Sequence, residues 1–548
     1  MRRTLAACVG SLLTLSSSLS FAAAAPGPYG RYGPYGTQPA HPAPAPLPSQ
    51  ADKAPPDPAT APLGSAALSG AVPQTVTSDT GLFGTLPDLG GPAYARVTRS
   101  DEDQIGQMIV AQIRNAHLLL EDPEVDDYLQ QLGMRLASQA HDEKQSFHYR
   151  CMNDNELNSF ATFGGNVFMF TGLILQMQTE GQLAAVMAHE TGHVVQRHMA
   201  RAVEAQSHMS IASTAAMLAA VLIGVAGRGN PGSSEAMEGA MAMAQATAFQ
   251  KSINFTRSEE IEADYVGIQL LAAAGFDPQE MAALFERFSQ SEGLEGNGIP
   301  AILQDHPVTP ERLAAARERA AQFPRLSHYG ESEDFAFIKE RVRVLSATPD
   351  QRIDQYYAAL KVNRALTPAE RYGEALTQIR DGRGATAVPT LQALQAQYPE
   401  LIMLYTALGQ AYASAGQERQ ARAQFAEGER LFPRNVPLTV HYAEMLIRDG
   451  QPDQAHALLL DLFNNVDPTP PQIQLTAQAA GAAGDTGDAY YYMAQYNLAN
   501  GELGLANQEL ELALAAPQLS NVQRERFRAQ LLQVRDWMRE QQQARHGG

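Results

Sequence analysis

Two histidines and a glutamate within five residues are the part of this sequence best suited to chemistry. The segment His189-Glu190-Thr191-Gly192-His193 places its histidines four residues apart. On a helix, that spacing puts both imidazoles on one face, where they could bind one metal ion with Glu190 beside it. The segment therefore indicates half of a hydrolytic zinc site. The alternative is a pair of core histidines on a buried helix.

The residues before this segment predict the helix that carries it. Thr179 and Gln182 are three residues apart and form a capping-box pattern at which a helix would begin. Residues 183–188 are apolar on every side, so the histidines would lie in a dry wall of the protein. A buried histidine pair without a metal ion is difficult to satisfy there, which favours the zinc interpretation.

A second charged segment, residues 258–264, could complete the site. Glu260 and Asp264 are four residues apart, so one helix could present a ligand carboxylate and a carboxylate that accepts a hydrogen bond from a ligating imidazole. The apolar residues that follow predict that part of this helix is buried. A third histidine ten residues after His189 is absent, because that position is Met199. The third ligand must therefore come from elsewhere in the chain.

Before the helix that carries the two histidines, the sequence predicts two helices followed by two strands. Residues 105–113 and 123–136 have helical spacing, whereas residues 147–152 and 167–171 predict strands. Gly164 and Gly165 lie between the strands. They predict either a plain turn or a place where a substrate backbone approaches an edge strand, and the sequence leaves these alternatives even.

His306-Pro307 lies just before a helix that Thr309 and Pro310 would begin. From these residues alone, His306 is a histidine in a surface loop.

Taken together, these segments resemble the metallopeptidases that include the HtpX-type and prenyl-protein proteases. The resemblance covers about residues 100–320 and continues into the C-terminal region. Ser159 stands where that family usually has alanine, which is also small. In chain order, the motifs are Asn158-Ser159-Phe160 with Gly164-Gly165-Asn166, His189-Glu190-Thr191-Gly192-His193, Glu260-x-x-Ala263-Asp264 and His306-Pro307.

The resemblance implies a gluzincin-type domain that holds one Zn²⁺ ion per chain. His189, His193 and Glu260 would be its ligands, and Asp264 would lie behind them. Neither Glu259 nor Glu262 would be a ligand.

The remaining site residues would act on the substrate. Glu190 would take a proton from water and pass it to the leaving amine. By resemblance, His306 would lie near the zinc, where it could stabilise the oxyanion or fill the open coordination position. We expect the peptide to extend along a substrate strand by backbone pairing. The residues predicted for that strand are Gly164, Gly165, Asn166, Val167 and Phe168.

The C-terminal third contains an internal repeat. Small residues recur at steps of 34, the length of a tetratricopeptide repeat, and would let paired helices cross closely. Such a solenoid has a groove for a peptide or a partner protein. The recurring positions are Gly382, Gly416, Gly450 and Gly484, then Ala387, Ala421, Ala455 and Ala489, and Ala375, Gly409, Ala443 and Ala477.

Composition limits the class of protein. The formal net charge of −19 and the lack of a basic cluster argue against a nucleic-acid partner. Residues 1–25 have a positive start, an apolar core and small residues at the end, as in a cleaved secretory signal. Once the signal is removed, only Cys151 remains, so no internal disulfide can form. These features predict export to the periplasm.

We predict a mainly α chain of the α+β type: a gluzincin-type domain with a small sheet, followed by an α-solenoid. The predicted divisions are a signal (1–25), a disordered Pro/Gly-rich linker (26–95), the peptidase domain (96–325), a helical connector (326–365) and the repeats (366–541). Residues 211–249 form an apolar hairpin pattern, for which a buried or lid position is favoured over membrane contact.

The predicted activity is hydrolysis of peptide bonds in misassembled envelope proteins. By resemblance, the repeats would bind outer-membrane barrel proteins or their assembly machinery. The alternative is a periplasmic chaperone or assembly scaffold whose zinc site is latent.

Overall fold

The computed structural model describes residues 97–140, 142, 144–204, 256–291 and 301–546. The predicted signal, the linker up to residue 95 and the apolar hairpin at 211–249 lie outside the described residues. Within them, no helix is both long enough and apolar enough to cross a membrane.

The N-terminal half combines helices with a small sheet, as predicted. The predicted strands correspond to β1 and β3, and the segment between them contains a further strand. The elements are α1 (Arg99–Asn115), α2 (Pro123–Ala137), β1 (His148–Met152), β2 (Ser159–Thr162), β3 (Asn166–Phe170), α3 (Thr171–Gln176), α4 (Glu180–Val195), α5 (His198–Glu204), α6 (Arg257–Ala273), α7 (Gln279–Ser291), α8 (Ala301–Asp305) and α9 (Pro310–Ala320).

The strands of the described residues form one sheet in the order β1-β3-β2. The central strand, β3, pairs in parallel with β1 and antiparallel with β2. Asn166, Val167 and Phe168 therefore have partners on both sides, and the prediction that a substrate pairs with them is wrong. The far edge of β1 is bonded to the chain at Leu118 and Leu120, so among the described residues the outer edge of β2 is the one left for a peptide.

The Gly164-Gly165 pair is a turn. Both residues have a left-handed backbone, with φ of 69° and 67°, which glycine adopts most easily. A Cβ on Gly165 would lie 1.8 Å from the carbonyl oxygen of Ser146. The glycines are therefore explained by the turn and by the protein's own backbone, and no substrate is needed to account for them.

Helices α4 and α6 pack against each other through two glycines. A Cβ on Gly192 would lie 2.8 Å from the carbonyl oxygen of Ala263, and one on Gly267 would lie 3.1 Å from the amide nitrogen of His189. Thr179 caps α4 by accepting from the amide of Gln182. This close approach brings the two charged segments of the sequence side by side.

The C-terminal half is an array of paired helices, which confirms the predicted solenoid. Helices α10 (Asp334–Ser346) and α11 (Ile353–Asn363) precede it. The array contains α12 (Pro368–Arg380), α13 (Gly384–Gln397), α14 (Ile402–Ser414), α15 (Glu418–Leu431), α16 (Val436–Arg448), α17 (Pro452–Phe463), α18 (Pro470–Ala482), α19 (Thr486–Ala499), α20 (Leu503–Ala515) and α21 (Asn521–His546).

The repeated small residues have two different roles. Those at the phase of Gly382 have positive φ in the turn between paired helices, and a Cβ there would meet nothing within 4 Å. At the phase of Ala387, Ala387, Ala421 and Ala455 are fully buried where helices cross, whereas Ala489 is half-buried. The group at the phase of Ala375 is buried as well. The second and third groups therefore fit the predicted role in close helix packing, whereas the first group terminates helices.

The peptidase half and the first repeats share one core. A continuous cluster of buried apolar side chains runs from Ile105 to Ala411. Beside it, the buried carboxylate of Glu124 accepts from Thr406 at 2.7 Å and lies 2.7 Å from Arg341. The Nε2 atom of His441 lies 3.1 Å from the same carboxylate. This contact joins α2 to α14 and α16.

We predict that Gly192→Ala destabilises the protein by about 1–3 kcal/mol, because the added methyl group must push against the backbone of α6. Thermal unfolding of the metal-free protein measures the change. Gly481→Ala is the matched control, since its Cβ would lie 3.6 Å from that of Ala489, an ordinary contact. In that helix, alanine should stabilise by up to about 1 kcal/mol. Equal melting temperatures for the two variants would contradict the proposed close contact.

We predict that His441 makes stability depend on pH. Burial alone would lower the pKa of His441, but Glu124 and Glu444 raise it to about 10. Since the folded pKa exceeds the unfolded value of 6.5, the contribution is complete below pH 6.5 and is lost as pH rises through about 10. His441→Gln should lower the melting temperature at pH 6 more than at pH 10. A loss equal at both pH values would refute this role. The exposed His328→Gln is the control.

Candidate metal centre

Four side chains from three parts of the chain converge on one buried point. His189, His193, Glu260 and His306 form a group that could hold a metal ion, with one ligand atom from each lying within 4.8 Å of the others. The Nε2 atoms of the two α4 histidines are 3.1 Å apart, and each lies 3.5 Å from an oxygen of Glu260. All four side chains are at most 8% exposed.

These spacings suit a small tetrahedral ion. Zinc bonds of about 2.0–2.2 Å separate tetrahedral ligand atoms by about 3.3–3.6 Å. The separations between the ring nitrogens and Glu260 match that range. In addition, the Oε2 atom of Glu190 is buried without a hydrogen-bond partner among the described residues. A buried carboxylate oxygen of this kind needs a polar partner, so these residues fit a metal ion with a water molecule.

His306 lies at the C-terminal end of α8. Its amide donates to the carbonyl of Ile302, whose own amide donates to Leu157 just before β2. The Nδ1 atom of His306 lies 2.9 Å from Glu260 and 3.3 Å from the Nε2 atom of His189. In the tertiary structure, His306 therefore lies among the candidate ligand atoms and not in a surface loop.

Asp264 faces the outer nitrogen of His189 and is held by an arginine. The Nδ1 atom of His189 lies 3.0 Å from Asp264, and Arg312 donates two hydrogen bonds of 2.7 Å to that carboxylate. Arg312 also lies 2.9 Å from Glu260 and donates to the carbonyl of Pro307. The sequence analysis missed Arg312, although its position in the first turn of the helix after His306 could have suggested it.

The outer nitrogen of His193 faces a further histidine. The Nδ1 atoms of His193 and His198 are 2.8 Å apart, and the Nε2 atom of His198 lies 3.2 Å from Glu262. Glu262 in turn accepts from Arg201 at 2.8 Å. The sequence analysis missed His198 as well; its place five residues after His193 was the only available signal.

Glu190 lies where a catalytic base could act. Its Oε1 atom accepts from the hydroxyl of Ser159 at 2.8 Å and lies 3.7 Å from the Nε2 atom of His306. Ser159 is on the outer strand β2, so this hydroxyl links the possible base to the sheet edge. Alanine at that position would leave Glu190 without the contact.

Charge balance keeps Glu260 and Asp264 ionised. Burial opposes ionisation, but His306 and His189 hold the pKa of Glu260 well below its usual value. In the same way, burial would raise the pKa of Asp264, but Arg312 and His189 lower it. Both carboxylates are therefore available as anions at neutral pH.

Burial has the largest effect on the pKa values of His193 and His198. It lowers the pKa of His193 well below its usual value. Burial, together with Arg201, lowers the pKa of His198 to about 4 against the opposing effect of Glu262. Both imidazoles are therefore neutral at pH 7, as metal binding by His193 requires.

The structure thus brings together His189, His193, Glu260 and His306, with Glu190 and Asp264 in contact with them. Of the predicted substrate strand, Asn166, Val167 and Phe168 lie in the central strand β3. Gly164 and Gly165 instead line a pocket beside His193, together with Thr162 and Arg197.

The comparisons with known proteins agree with this arrangement. The sequence profile of peptidase family M48 matches residues 123–320. The beta-barrel assembly-enhancing protease of Escherichia coli K12 is 34% identical over 459 residues, which cover 82% of this chain and 91% of the relative. The protease of the same name from Yersinia pestis is 31% identical and covers 82% of this chain and 91% of the relative.

One solved structure concerns the repeats. A thermophilic TPR protein from Thermus thermophilus is 23% identical and covers 36% of this chain and 94% of that chain. Its TM-score of 0.19 is too low to support an argument.

The paired histidines and Glu260 come together within the matched segment, and the similarity to the Escherichia coli protease extends over nearly all of that relative. The chain therefore belongs to peptidase family M48, as a metalloprotease related to the beta-barrel assembly-enhancing proteases.

Proposed function

We propose that this protein is an exported zinc-dependent endopeptidase that cleaves misassembled envelope proteins. The observation that carries the proposal is the spacing of the His189, His193 and Glu260 ligand atoms, with Glu190 beside them. Two imidazoles and a carboxylate are a donor set that catalytic zinc takes with one position left for water.

In the proposed mechanism, a bound zinc ion supplies a Lewis acid that polarises the scissile carbonyl and makes water more acidic. Glu190 removes a proton from the attacking water and returns it to the nitrogen of the leaving amine. Ser159 donates to one oxygen of Glu190 and so orients the carboxylate. Asp264 accepts from the Nδ1 side of His189, which leaves the Nε2 atom of that ring free to bind.

We propose that His306 holds the enzyme latent. Its Nδ1 atom lies 2.9 Å from the Oε1 atom of Glu260 and 3.3 Å from the Nε2 atom of His189, so His306 lies where a fourth ligand would be. A role as oxyanion donor would instead need its ring to face the substrate. Activation then requires α8 and the residues after it to move away from the group.

We propose that the substrate lies along the outer edge of β2. Backbone pairing at an edge makes binding tolerant of sequence. The contact between Ser159 on this strand and Glu190 supports this position, because a peptide bond paired there would lie near the base.

The clients and the location are also proposals. The relatives are named for assembly of beta-barrels, and on that basis we propose outer-membrane barrel proteins and their assembly machinery as partners of the repeats. The signal-like residues 1–25 support a periplasmic location. We also propose the division into a linker (26–95), a peptidase domain (96–325), a connector (326–365) and repeats (366–541), and a single zinc ion per chain.

We predict that Glu190→Gln lowers casein cleavage by at least about 100-fold, because the amide cannot take a proton from water. Zinc content, measured by elemental analysis, should stay at one ion per chain. The exposed Glu318→Gln on α9 is the control and should keep full activity. If Glu190→Gln cleaves casein at the normal rate with zinc bound, the proposed mechanism is wrong.

We predict that His306→Ala raises basal casein cleavage severalfold with unchanged zinc content, because a ligand that competes with water has been removed. Activity per bound zinc ion is the measurement. The exposed His328→Ala is the matched control and should change nothing. A fall in activity would indicate an oxyanion role instead, and unchanged activity would exclude both roles.

A further inference from the structure

We propose that His198 is a positioning residue for the metal ligand His193, linking that ring to the carboxylate of Glu262. The inference rests on the proposed function, in which His193 binds zinc. Its basis is a chain of two contacts: 2.8 Å between the Nδ1 atoms of the two rings, and 3.2 Å from the Nε2 atom of His198 to Glu262. His198 is fully buried.

The protons in this chain can be placed in one order. To bind a metal ion, the Nε2 atom of His193 must be unprotonated, so its proton lies on Nδ1. That N–H must donate to the Nδ1 atom of His198, which is then an acceptor. The remaining proton of His198 lies on Nε2, which faces a carboxylate oxygen of Glu262 at 3.2 Å. The carboxylate thus selects the metal-binding tautomer of His193 through a second imidazole.

The two zinc-binding histidines are therefore oriented differently. His189 meets the carboxylate of Asp264 directly, at 3.0 Å. The outer nitrogen of His193, in contrast, contacts His198, whose other nitrogen faces the carboxylate of Glu262. Both carboxylates, as well as the ligand Glu260, belong to α6, so one helix orients both rings. Metal-bound histidines commonly donate their outer N–H to a carboxylate, and such partners affect metal affinity.

The backbone conformation of Arg197 places His198 beside the outer nitrogen of His193. Arg197, between α4 and α5, has a φ of 52°, which is uncommon for a residue with a side chain. The guanidinium of Arg197 donates to Glu102 at 2.8 Å and to the carbonyl of Val97 at 2.8 Å. These bonds stabilise the left-handed residue that turns the chain, so that the next residue points back to His193. If His198 served only to fill space, its Nδ1 atom would not need to lie 2.8 Å from the Nδ1 atom of His193.

Two substitutions separate positioning from packing. In His198→Asn, the side-chain oxygen lies near the place of Nδ1 and can still accept from His193. In His198→Leu, the volume is retained but no acceptor remains. The control is His328→Leu, because His328 is an exposed histidine outside the metal centre.

The experiment measures the zinc dissociation constant of the full chain by competition with a chromophoric chelator. It also records the visible absorption of the Co²⁺-substituted protein, which reports ligand geometry without any substrate. We expect His198→Leu to weaken zinc binding about 10- to 100-fold and to alter the cobalt spectrum. His198→Asn should recover most of the affinity, and His328→Leu should match the natural protein. Melting curves of the metal-free proteins identify any variant that has failed to fold.

The inference is overturned if His198→Leu, folded as judged by its melting curve, binds zinc as tightly as the natural protein. It is also overturned if His198→Asn is as weak as His198→Leu, since an acceptor beside His193 would then make no difference to zinc binding. Failure of the proposed function gives a different result: the natural chain itself would bind no stoichiometric zinc or would not cleave casein.

Discussion

The contact between α4 and α6 is the constraint on which the rest of the peptidase half depends. Gly192 and Gly267 remove the side chains that would hold the helices apart, and their hypothetical Cβ atoms would collide with the opposite backbone. At the distance that these glycines permit, Glu260 reaches the nitrogens of both histidines on α4. A ligand set drawn from two helices needs this precision, because metal bonds tolerate small errors in length only.

The buried charged groups of the site must be stabilised by partners. Arginines and a chain of hydrogen bonds provide these partners. Arg312 binds Asp264 and Glu260 together and fixes the loop that carries His306. Arg201 stands behind Glu262 at the other end of the group. The site is therefore a connected network that runs from Arg312 to Arg201. Two carboxylate–imidazole contacts lie along it: Asp264 with His189, and Glu262 with His198. Removing one member leaves a neighbour unpaired in a dry environment, where that is costly.

The repeats are joined to the peptidase half by the same two kinds of interaction. An apolar core continues from the sheet into the first repeats, and Glu124 holds Arg341, Thr406 and His441 beside it. The helix that precedes His306 is 5 residues long.

The sequence by itself determined the local features of this protein. The spacing of the two histidines, the caps of the helices and the 34-residue period are properties of neighbouring residues, and the structure has the helices and the solenoid that they predict. Tertiary structure alone decided which strand lies in the centre of the sheet, and this overturned the predicted substrate strand. It also placed Arg312 beside Asp264, and His198 beside His193, behind the candidate metal-binding residues. Pairing order and contacts between distant side chains depend on how elements pack, and no short-range pattern records that packing.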